Sequence, residues 1–154
     1  MPTEDPFSRK ETVERQVNGL RVTTRLIFDS HALLQFFQGE SGAKAVERWL
    51  RSAQRRRWTT YICAINVGEI IYTIKRRFGD QRKLEVLAHI HRLNLAILPV
   101  SNDLIYQAAE LKAEFSISYA DCFLLACAVE LSAAIITGDQ DFRKVAHLAK
   151  IQWV

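Results

Sequence analysis

The clearest change in hydrophobic pattern lies in the segment RLIFDSHALL, residues 25–34. Residues 26–28 form a short apolar run that stops at a carboxylate, Asp29, and such a run is typical of a strand buried on both faces of a parallel sheet. Apolar residues then recur at helical spacing over 32–37. The pattern predicts a strand that gives way to a helix at Asp29, with Ser30 able to act as the helix N-cap.

Strand-like and helix-like patterns then alternate along the rest of the chain. Further strands are predicted at 58–62, 96–100, 133–137 and 151–154. Helical stripes are predicted at 45–50, 64–78, 81–93, 104–111, 119–131 and 141–148. Gly79 and Asp80 separate two of these helices, and Asn102 or Asp103 is able to cap the next. This alternation predicts an α/β fold, a three-layer α/β/α sandwich with a central, mostly parallel sheet of four to five strands.

The first 24 residues show no sustained period. They are polar and carry Pro2 and Pro6, so we expect an N-terminal extension, flexible over at least its first ten residues, followed by one domain at 25–154. Leu20 and Val22 alternate with polar neighbours. This alternation allows the first strand, or a strand paired with it, to begin before Arg25.

Composition describes an ordinary globular protein. With 49% hydrophobic and 25% charged residues among 154, one domain with a sizeable core is expected. The sequence has neither an apolar run of about 20 residues, as a membrane span needs, nor an N-terminal secretory pattern. We therefore expect a cytoplasmic protein. The three cysteines form no CxxC pair, so we expect reduced thiols in the core.

The net charge of +4 understates how basic the surface is expected to be. If several acidic residues gather in one cleft, the remaining surface carries a larger excess of the 21 lysines and arginines. Such a surface attracts polyanions.

Asp29 and Glu69 are two candidate functional acids. Asp29 follows a predicted strand, but aspartate is also a common cap and turn residue. Glu69 lies nearly opposite the apolar stripe of its helix, which favours a solvated side chain. Its place in the first turns, just after a predicted strand, keeps a functional interpretation open.

Asp121 lies at the start of an apolar stripe instead of a polar one. A buried carboxylate is costly unless it is paired, hydrogen-bonded or bound to a metal. The competing explanation is a capping box, because residues 118–121 read Ser-Tyr-Ala-Asp. The sequence does not decide between the two.

Asp139 and Asp141 follow the strand predicted at 133–137. Each alone fits a turn or an N-cap, and Thr137 offers a hydroxyl beside them. Taken with Asp29, Glu69 and Asp121, they are positions that a parallel sheet brings to one edge. Clustered carboxylates need a cation at neutral pH, and oxygen ligands suit Mg²⁺ or Mn²⁺, ions that orient water for attack on a phosphodiester.

Four motifs, IFDSHALL, NVGEI, SYADCFLLACA and TGDQDF, resemble in this order and spacing the PIN-domain ribonucleases, most closely the VapC-type toxins of prokaryotic toxin–antitoxin pairs. The resemblance covers about residues 25–154. It implies that Asp29, Glu69 and Asp121 bind the metal, with Asp139 as the fourth acid and Asp141 as a substitute or helper. It further implies a homodimer and a cognate antitoxin that inserts into the active-site groove. The stretch before Arg25 departs from the family's usual pattern.

Two basic clusters are candidates for RNA phosphate contacts or for plain solvated surface. The first comprises Arg51, Arg55, Arg56 and Arg57; the second comprises Lys75, Arg76, Arg77, Arg82 and Lys83. We assign Arg76, on the Glu69 face of its helix, to substrate binding, together with the hydroxyls of Ser30 and Thr137. Trp49, Trp58 and Trp153 are expected in the core, and His31 alone is weak evidence for a general base.

The sequence therefore predicts an endoribonuclease, dependent on Mg²⁺ or Mn²⁺, that acts as the toxin of a toxin–antitoxin pair. The alternative is a catalytically silent module of the same fold that binds RNA or protein. A haloacid-dehalogenase-like phosphatase would need a second Asp where this chain has His31. A dehydrogenase is disfavoured because no GxGxxG occurs.

Overall fold

The fold is built on a five-stranded, all-parallel sheet with helices on both faces. The computed structural model describes residues 16–17, 20–21 and 24–154. The strands are β1 (Gln16–Val17), β2 (Leu20–Arg21), β3 (Arg25–Phe28), β4 (Thr59–Cys63), β5 (Ala96–Leu98), β6 (Ala134–Thr137) and β7 (Ile151–Trp153). The helices are α1 (Ser30–Gln38), α2 (Ala43–Arg56), α3 (Ala64–Arg92), α4 (Asn102–Glu114), α5 (Tyr119–Leu131) and a 3₁₀ helix, Gln140–Val145.

The sheet order is β5-β4-β3-β6-β7, and every neighbouring pair is parallel. The predicted three-layer α/β/α architecture is confirmed. Because β3 and β6 are central neighbours and Phe28 pairs with Ile136, Asp29 stands level with Thr137 at the carboxyl edge of the sheet, just before the turn at Gly138.

The central strand β3 shows why both faces of the sheet are covered. Leu26 and Phe28 are buried in the core on one face of the sheet, with residues of α1, α2 and α3. Ile27, which points the other way, is buried with residues of α4, α5 and the 3₁₀ helix. A strand that is buried on both faces has apolar residues at consecutive positions, and this pattern in the sequence predicted β3.

The N-terminal region differs from the expectation of an earlier start to the first strand. β2 pairs antiparallel with β1, and this pair forms a two-stranded sheet of its own instead of extending β3. Val22 and the first ten residues lie outside the described residues. The proposed division into an extension and a domain at residue 25 stays a prediction.

Three predicted details of helix ends are wrong, each by a small shift. Asp29, not Ser30, occupies the N-cap of α1. The cap of α4 is Ser101, whose Oγ accepts a hydrogen bond from the Leu104 amide at 3.1 Å, and not Asn102 or Asp103. The last helix, predicted over 141–148, is the shorter 3₁₀ helix. Runs of neighbouring Ser, Asn and Asp all carry cap-forming oxygens, so the pattern does not select among them.

Gly79 marks the break predicted between two helices. The chain stays helical on both sides of it within α3, but Gly79 itself adopts φ 85° and ψ −176°, a conformation that only glycine reaches without strain. In the described part of the chain, no helix has the length and apolar character needed to cross a membrane. Cys63, Cys122 and Cys127 are free and buried, as expected.

Candidate metal centre

Three aspartates converge at the carboxyl edge of the sheet. Asp29 follows β3, Asp139 follows β6 by way of Gly138, and Asp121 lies in the first turn of α5. One carboxylate oxygen from each lies within 4.8 Å of the other two. The sheet order and the helix packed on it therefore bring together residues separated by more than a hundred positions in sequence.

Asp29 is held as a buried acceptor. The residue is 1% exposed, and its Oδ2 accepts a hydrogen bond of 2.7 Å from Thr137 Oγ1. It occupies the N-cap position of α1, yet its side chain makes no capping hydrogen bond. A residue type that usually caps a helix is here turned toward the site.

The electrostatic setting of Asp29 disfavours its charged form. Burial raises the pKa of Asp29 from 3.8 to about 7, against the lowering effect of the Thr137 hydrogen bond, and Asp121, Glu69 and Asp139 raise it further. A cation between these carboxylates would remove much of that penalty.

Asp121 combines the two interpretations that the sequence left open. Its amide donates to Ser118 Oγ at 3.1 Å, so Ser118 caps α5, while its side chain is 7% exposed and belongs to the three-aspartate group. Burial raises its pKa to about 6; Ser118 lowers it, and Asp139 and Glu69 raise it. The cap fixes the first turn of the helix, and the acid points from that turn into the site.

Thr137 links two of the acids. Besides donating to Asp29, its Oγ1 accepts the amide hydrogen of Asp139 at 3.0 Å, and the residue is 0% exposed. The hydroxyl is therefore engaged inside the protein, in a positioning role. The substrate contact assigned to Thr137 stays a prediction.

Asp139 and Asp141 differ in their surroundings. Asp139 Oδ1 accepts a hydrogen bond from the amide of Asp141 at 2.9 Å and so caps the 3₁₀ helix. The Asp141 side chain is exposed and lies 3.1 Å from Lys144 Nζ in an ion pair. Within residues 24–154, Asp141 is not part of the three-aspartate group. Its place as metal ligand or helper stays a prediction.

Glu69 joins the edge of the site through two polar neighbours. Its Oε2 accepts hydrogen bonds from Ser30 Oγ at 2.7 Å and from Asn66 Nδ2 at 3.1 Å. Ser30 Oγ also lies 3.4 Å from Asp29 Oδ1, so the serine bridges the two acids. The half-buried Glu69 is not the fully solvated residue that the helical wheel favoured.

The donor set fits a hard divalent cation. All three clustered ligand atoms are carboxylate oxygens, which Mg²⁺ and Mn²⁺ prefer and which zinc sites seldom use alone. The three oxygens lie within 4.8 Å of one another, close enough for one ion to contact all three once the side chains adjust to oxygen–ion distances of about 2.1 Å.

The two basic clusters are only partly available for a polyanion. In the second cluster Lys75, Arg77, Arg82 and Lys83 are each ion-paired with an acidic residue. Arg76 is exposed instead and lies over the Tyr72 ring, 5.7 Å from its centroid. In the first cluster Arg51 is paired with Glu47 at 2.6 Å, and Arg56 lies over Trp58.

Sequence reasoning missed Asn66 and misplaced Trp153. Asn66 is fully buried and orients Glu69, a role consistent with an i, i+3 spacing on one helix face. Trp49 is in the core and Trp58 packs against it, as expected, but Trp153 is 42% exposed. The prediction of a core role for Trp153 is wrong, because its strand β7 is an edge strand of the sheet.

Comparison with solved structures shows the same fold in bacterial toxin–antitoxin proteins. VapBC2 from Rickettsia felis, bound to a DNA fragment from its promoter, matches with a TM-score of 0.70 and 14% identity over 85% of this chain and 99% of that one. VapC20 from Mycobacterium tuberculosis, a sarcin-ricin loop cleaving toxin, matches with a TM-score of 0.69 and 18% identity over 82% and 98% of the chains. FitAcB from Neisseria gonorrhoeae matches with a TM-score of 0.62 and 19% identity over 82% and 96%. At these identities the likeness concerns the fold.

Sequence comparison gives two results. No curated protein matches the chain. The sequence model of the PIN domain matches residues 26–148, which include all the acids of the site. The chain therefore belongs to the PIN-domain family.

Proposed function

We propose that this protein is a metal-dependent endoribonuclease that acts as the VapC-type toxin of a toxin–antitoxin pair. The observation that carries the proposal is the group of three aspartates, two of them buried, at the carboxyl edge of a parallel sheet. Carboxylates whose pKa values are raised to about 7 and about 6 are costly to keep together, and a divalent cation offsets that cost. We therefore expect the site to be catalytically active only when the cation is bound.

Asp29, Asp121 and Asp139 would hold Mg²⁺ or Mn²⁺ as ligands. Among the described residues Glu69 is not part of that group, so its predicted place as a further metal ligand stays a prediction, and we propose it as the fourth catalytic acid. When bound, the ion would orient a water for attack on the phosphodiester and would neutralise the charge that develops on the phosphate. Thr137 keeps Asp29 and Asp139 in register. Ser30 and Asn66 donate to Glu69 and leave its Oε1 available as an acceptor for a proton from the attacking water.

RNA as the substrate is supported by charge and by the comparisons. The chain has a net charge of +4, and because three of its 17 acidic residues gather at the site, the rest of the surface is more basic than that net charge indicates. Arg76 presents an exposed guanidinium on the helix that carries Glu69. VapC20, which shares the fold, is described as a toxin that cleaves the sarcin-ricin loop. The nuclease activity proposed for this chain does not depend on that particular target.

A protein antitoxin is the proposed partner. Solved structures that share the fold include VapBC2 and a toxin–antitoxin complex from Klebsiella pneumoniae. By analogy, this chain would form a homodimer and be inhibited by a cognate antitoxin that covers the acidic groove. The analogy rests on fold and family.

The proposed function is tested by cleavage of total RNA by the purified chain without antitoxin, in Mg²⁺, in Mn²⁺ and in EDTA. The variants are Asp29→Asn and Asp121→Asn, and the matched control is Asp103→Asn, the same substitution at an exposed residue of α4. We expect cleavage with either metal and none in EDTA. Both site variants should lose roughly 10²-fold or more in rate, because each loses a charged ligand group, while Asp103→Asn cuts like the wild type. Full cleavage by either site variant, or cleavage that persists in EDTA, would refute the proposal.

A further inference from the structure

Trp153 lies at the same edge of the sheet as the acids, a position that the sequence pattern did not predict. In the sheet register Trp153 pairs with Thr137, the residue that donates to Asp29, and the amide of Val154 donates to Thr137 O at 3.1 Å. Neighbouring strands are about 4.8 Å apart, so the backbone of Trp153 is about 10 Å, two strand spacings, from that of Asp29.

The ring of Trp153 is on the same face of the sheet as the Thr137 side chain. Ile135 and Ile151, each two residues earlier, pair with one another in the register and both pack in the core that involves α5 and the 3₁₀ helix. Residues two apart in a strand share a face. Trp153 therefore projects beside the 3₁₀ helix that Asp139 caps.

The turn after β6 fits closely against this corner of the fold. A Cβ placed on Gly138 would lie 3.0 Å from the carbonyl oxygen of Val154 and 3.1 Å from the ring of His31. Because glycine allows this approach, the end of β7 is packed against the turn that carries Asp139. The position of Trp153 relative to the acids is thus fixed by backbone contacts.

Arg143 lies at the exposed ring of Trp153. Trp153 is 42% exposed, and the Arg143 guanidinium lies over its ring, 5.8 Å from the centroid. Among the residues that the structure describes, Arg143 forms no ion pair with a carboxylate. An exposed indole beside an unpaired guanidinium offers a surface for a nucleobase and a charge for its phosphate.

We propose that Trp153 and Arg143 form a nucleotide platform: a base of single-stranded RNA next to the scissile phosphate stacks on the indole, and Arg143 holds the phosphate of that nucleotide. The proposal rests on the proposed ribonuclease function and names how the substrate is held there. Stacking on an aromatic ring requires unpaired bases. The site therefore selects single-stranded or looped RNA over a continuous duplex.

The test measures binding of a short fluorescent single-stranded RNA and of an abasic strand of the same length, in EDTA so that the RNA stays intact. Trp153→Ala should bind the RNA roughly tenfold more weakly, as expected for the loss of one stacked base, with little change for the abasic strand. Trp153→Phe should keep most of the affinity. Arg143→Ala should weaken binding of both strands. Tyr106→Ala removes a more exposed aromatic of α4 and should change neither.

Ultraviolet cross-linking of the unmodified chain to the same RNA avoids any effect of substitution on folding. We expect a nucleotide attached to the peptide that contains Trp153. The platform would be overturned if cross-links were confined to other peptides. It would also be overturned if Trp153→Ala lost equal affinity for the two strands, or if that variant changed its oligomeric state. If the wild type cuts RNA while Trp153→Ala binds it normally, the platform is wrong and the nuclease stands. If the wild type neither binds nor cuts RNA, both proposals fail.

Discussion

At the scale of single residues, Asp29 shows how the site is strained electrostatically without its cation. It is buried beside Asp121 and Asp139, and its pKa is raised from 3.8 to about 7. In the metal-free chain the folded state therefore holds a proton on Asp29 at pH values where the unfolded chain has released it. The stability from that proton is fully present below about pH 4 and is lost as the pH rises through about 7.

We expect Asp29→Asn to stabilise the metal-free protein at alkaline pH, because the amide needs no deprotonation and still accepts the Thr137 hydrogen bond. A shift of about three pKa units corresponds to at most about 4 kcal/mol. Thermal unfolding in EDTA should show the wild type losing stability between about pH 4 and pH 7, the interval between the pKa of Asp29 in the unfolded and in the folded chain. The variant should lose less and exceed the wild type at the alkaline end.

Asp103→Asn, at an exposed site, serves as the control and should follow the wild type at each pH. If Asp29→Asn were less stable than the wild type at about pH 8, the ionised carboxylate of Asp29 would not be destabilising the metal-free folded state, and this prediction would be wrong.

The residue scale also shows what sequence can and cannot predict about the site. The convergence of Asp29, Asp121 and Asp139 was predictable because two of them follow strands and the third starts a helix, positions that a parallel sheet brings to one edge. The places of Asn66 and Trp153 were not predictable. The link of Asn66 to the site is a hydrogen bond to Glu69, which the sequence pattern does not indicate. The exposure of Trp153 depends on which strand forms the edge of the sheet.

At the scale of elements, α3 joins the acidic site to the basic surface. Glu69 and Arg76 are seven residues apart on one face, about 10 Å along the helix axis. The other basic residues of this stretch are ion-paired, for example Arg77 with Glu40 at 3.8 Å, whereas Arg76 lies over Tyr72. We infer that α3 offers one phosphate contact from its cluster.

Arg76→Ala should weaken RNA binding several-fold and reduce the dependence of log affinity on log salt concentration by about one unit, as expected for the loss of one phosphate contact. Arg77→Ala is the matched control and should have a smaller effect on the salt dependence. Binding measured over a range of KCl concentrations in EDTA distinguishes the two. Equal salt slopes for wild type and Arg76→Ala would remove Arg76 from the substrate contacts.

Predictability at this scale followed the strength of the local signal. The predicted range of α5 matches the structure because its apolar residues are continuous, and the break at Gly79 was correct because a glycine-only conformation occurs there. The caps of α1 and α4 were misplaced where several cap-forming residues adjoin. β1 pairs with β2 in a sheet separate from the main one. Two alternating residues do not indicate which strand their strand will pair with.

At the scale of the whole molecule, the candidate site follows from the order of the parallel strands. The order β5-β4-β3-β6-β7 places the ends of β3 and β6 side by side and β7 next to them. Acids, hydroxyl anchors and an aromatic ring from distant parts of the chain thus share one edge. Strand–helix alternation predicted the parallel sheet, and the positions of the acids after strands and early in helices predicted that they meet at one edge of it. The neighbours of each strand came only with the structure.

The most direct test is calorimetric titration of the metal-free chain with Mn²⁺ at about pH 6.5 in two buffers that differ in ionisation enthalpy. We predict saturable binding with proton release, because Asp29, with a pKa of about 7, is partly protonated before the ion binds. Asp29→Asn and Asp121→Asn should lose this binding, and Asp103→Asn should retain it. Absence of saturable binding by the wild type, or binding that is unchanged in both site variants, would contradict the assignment of these aspartates as a metal centre.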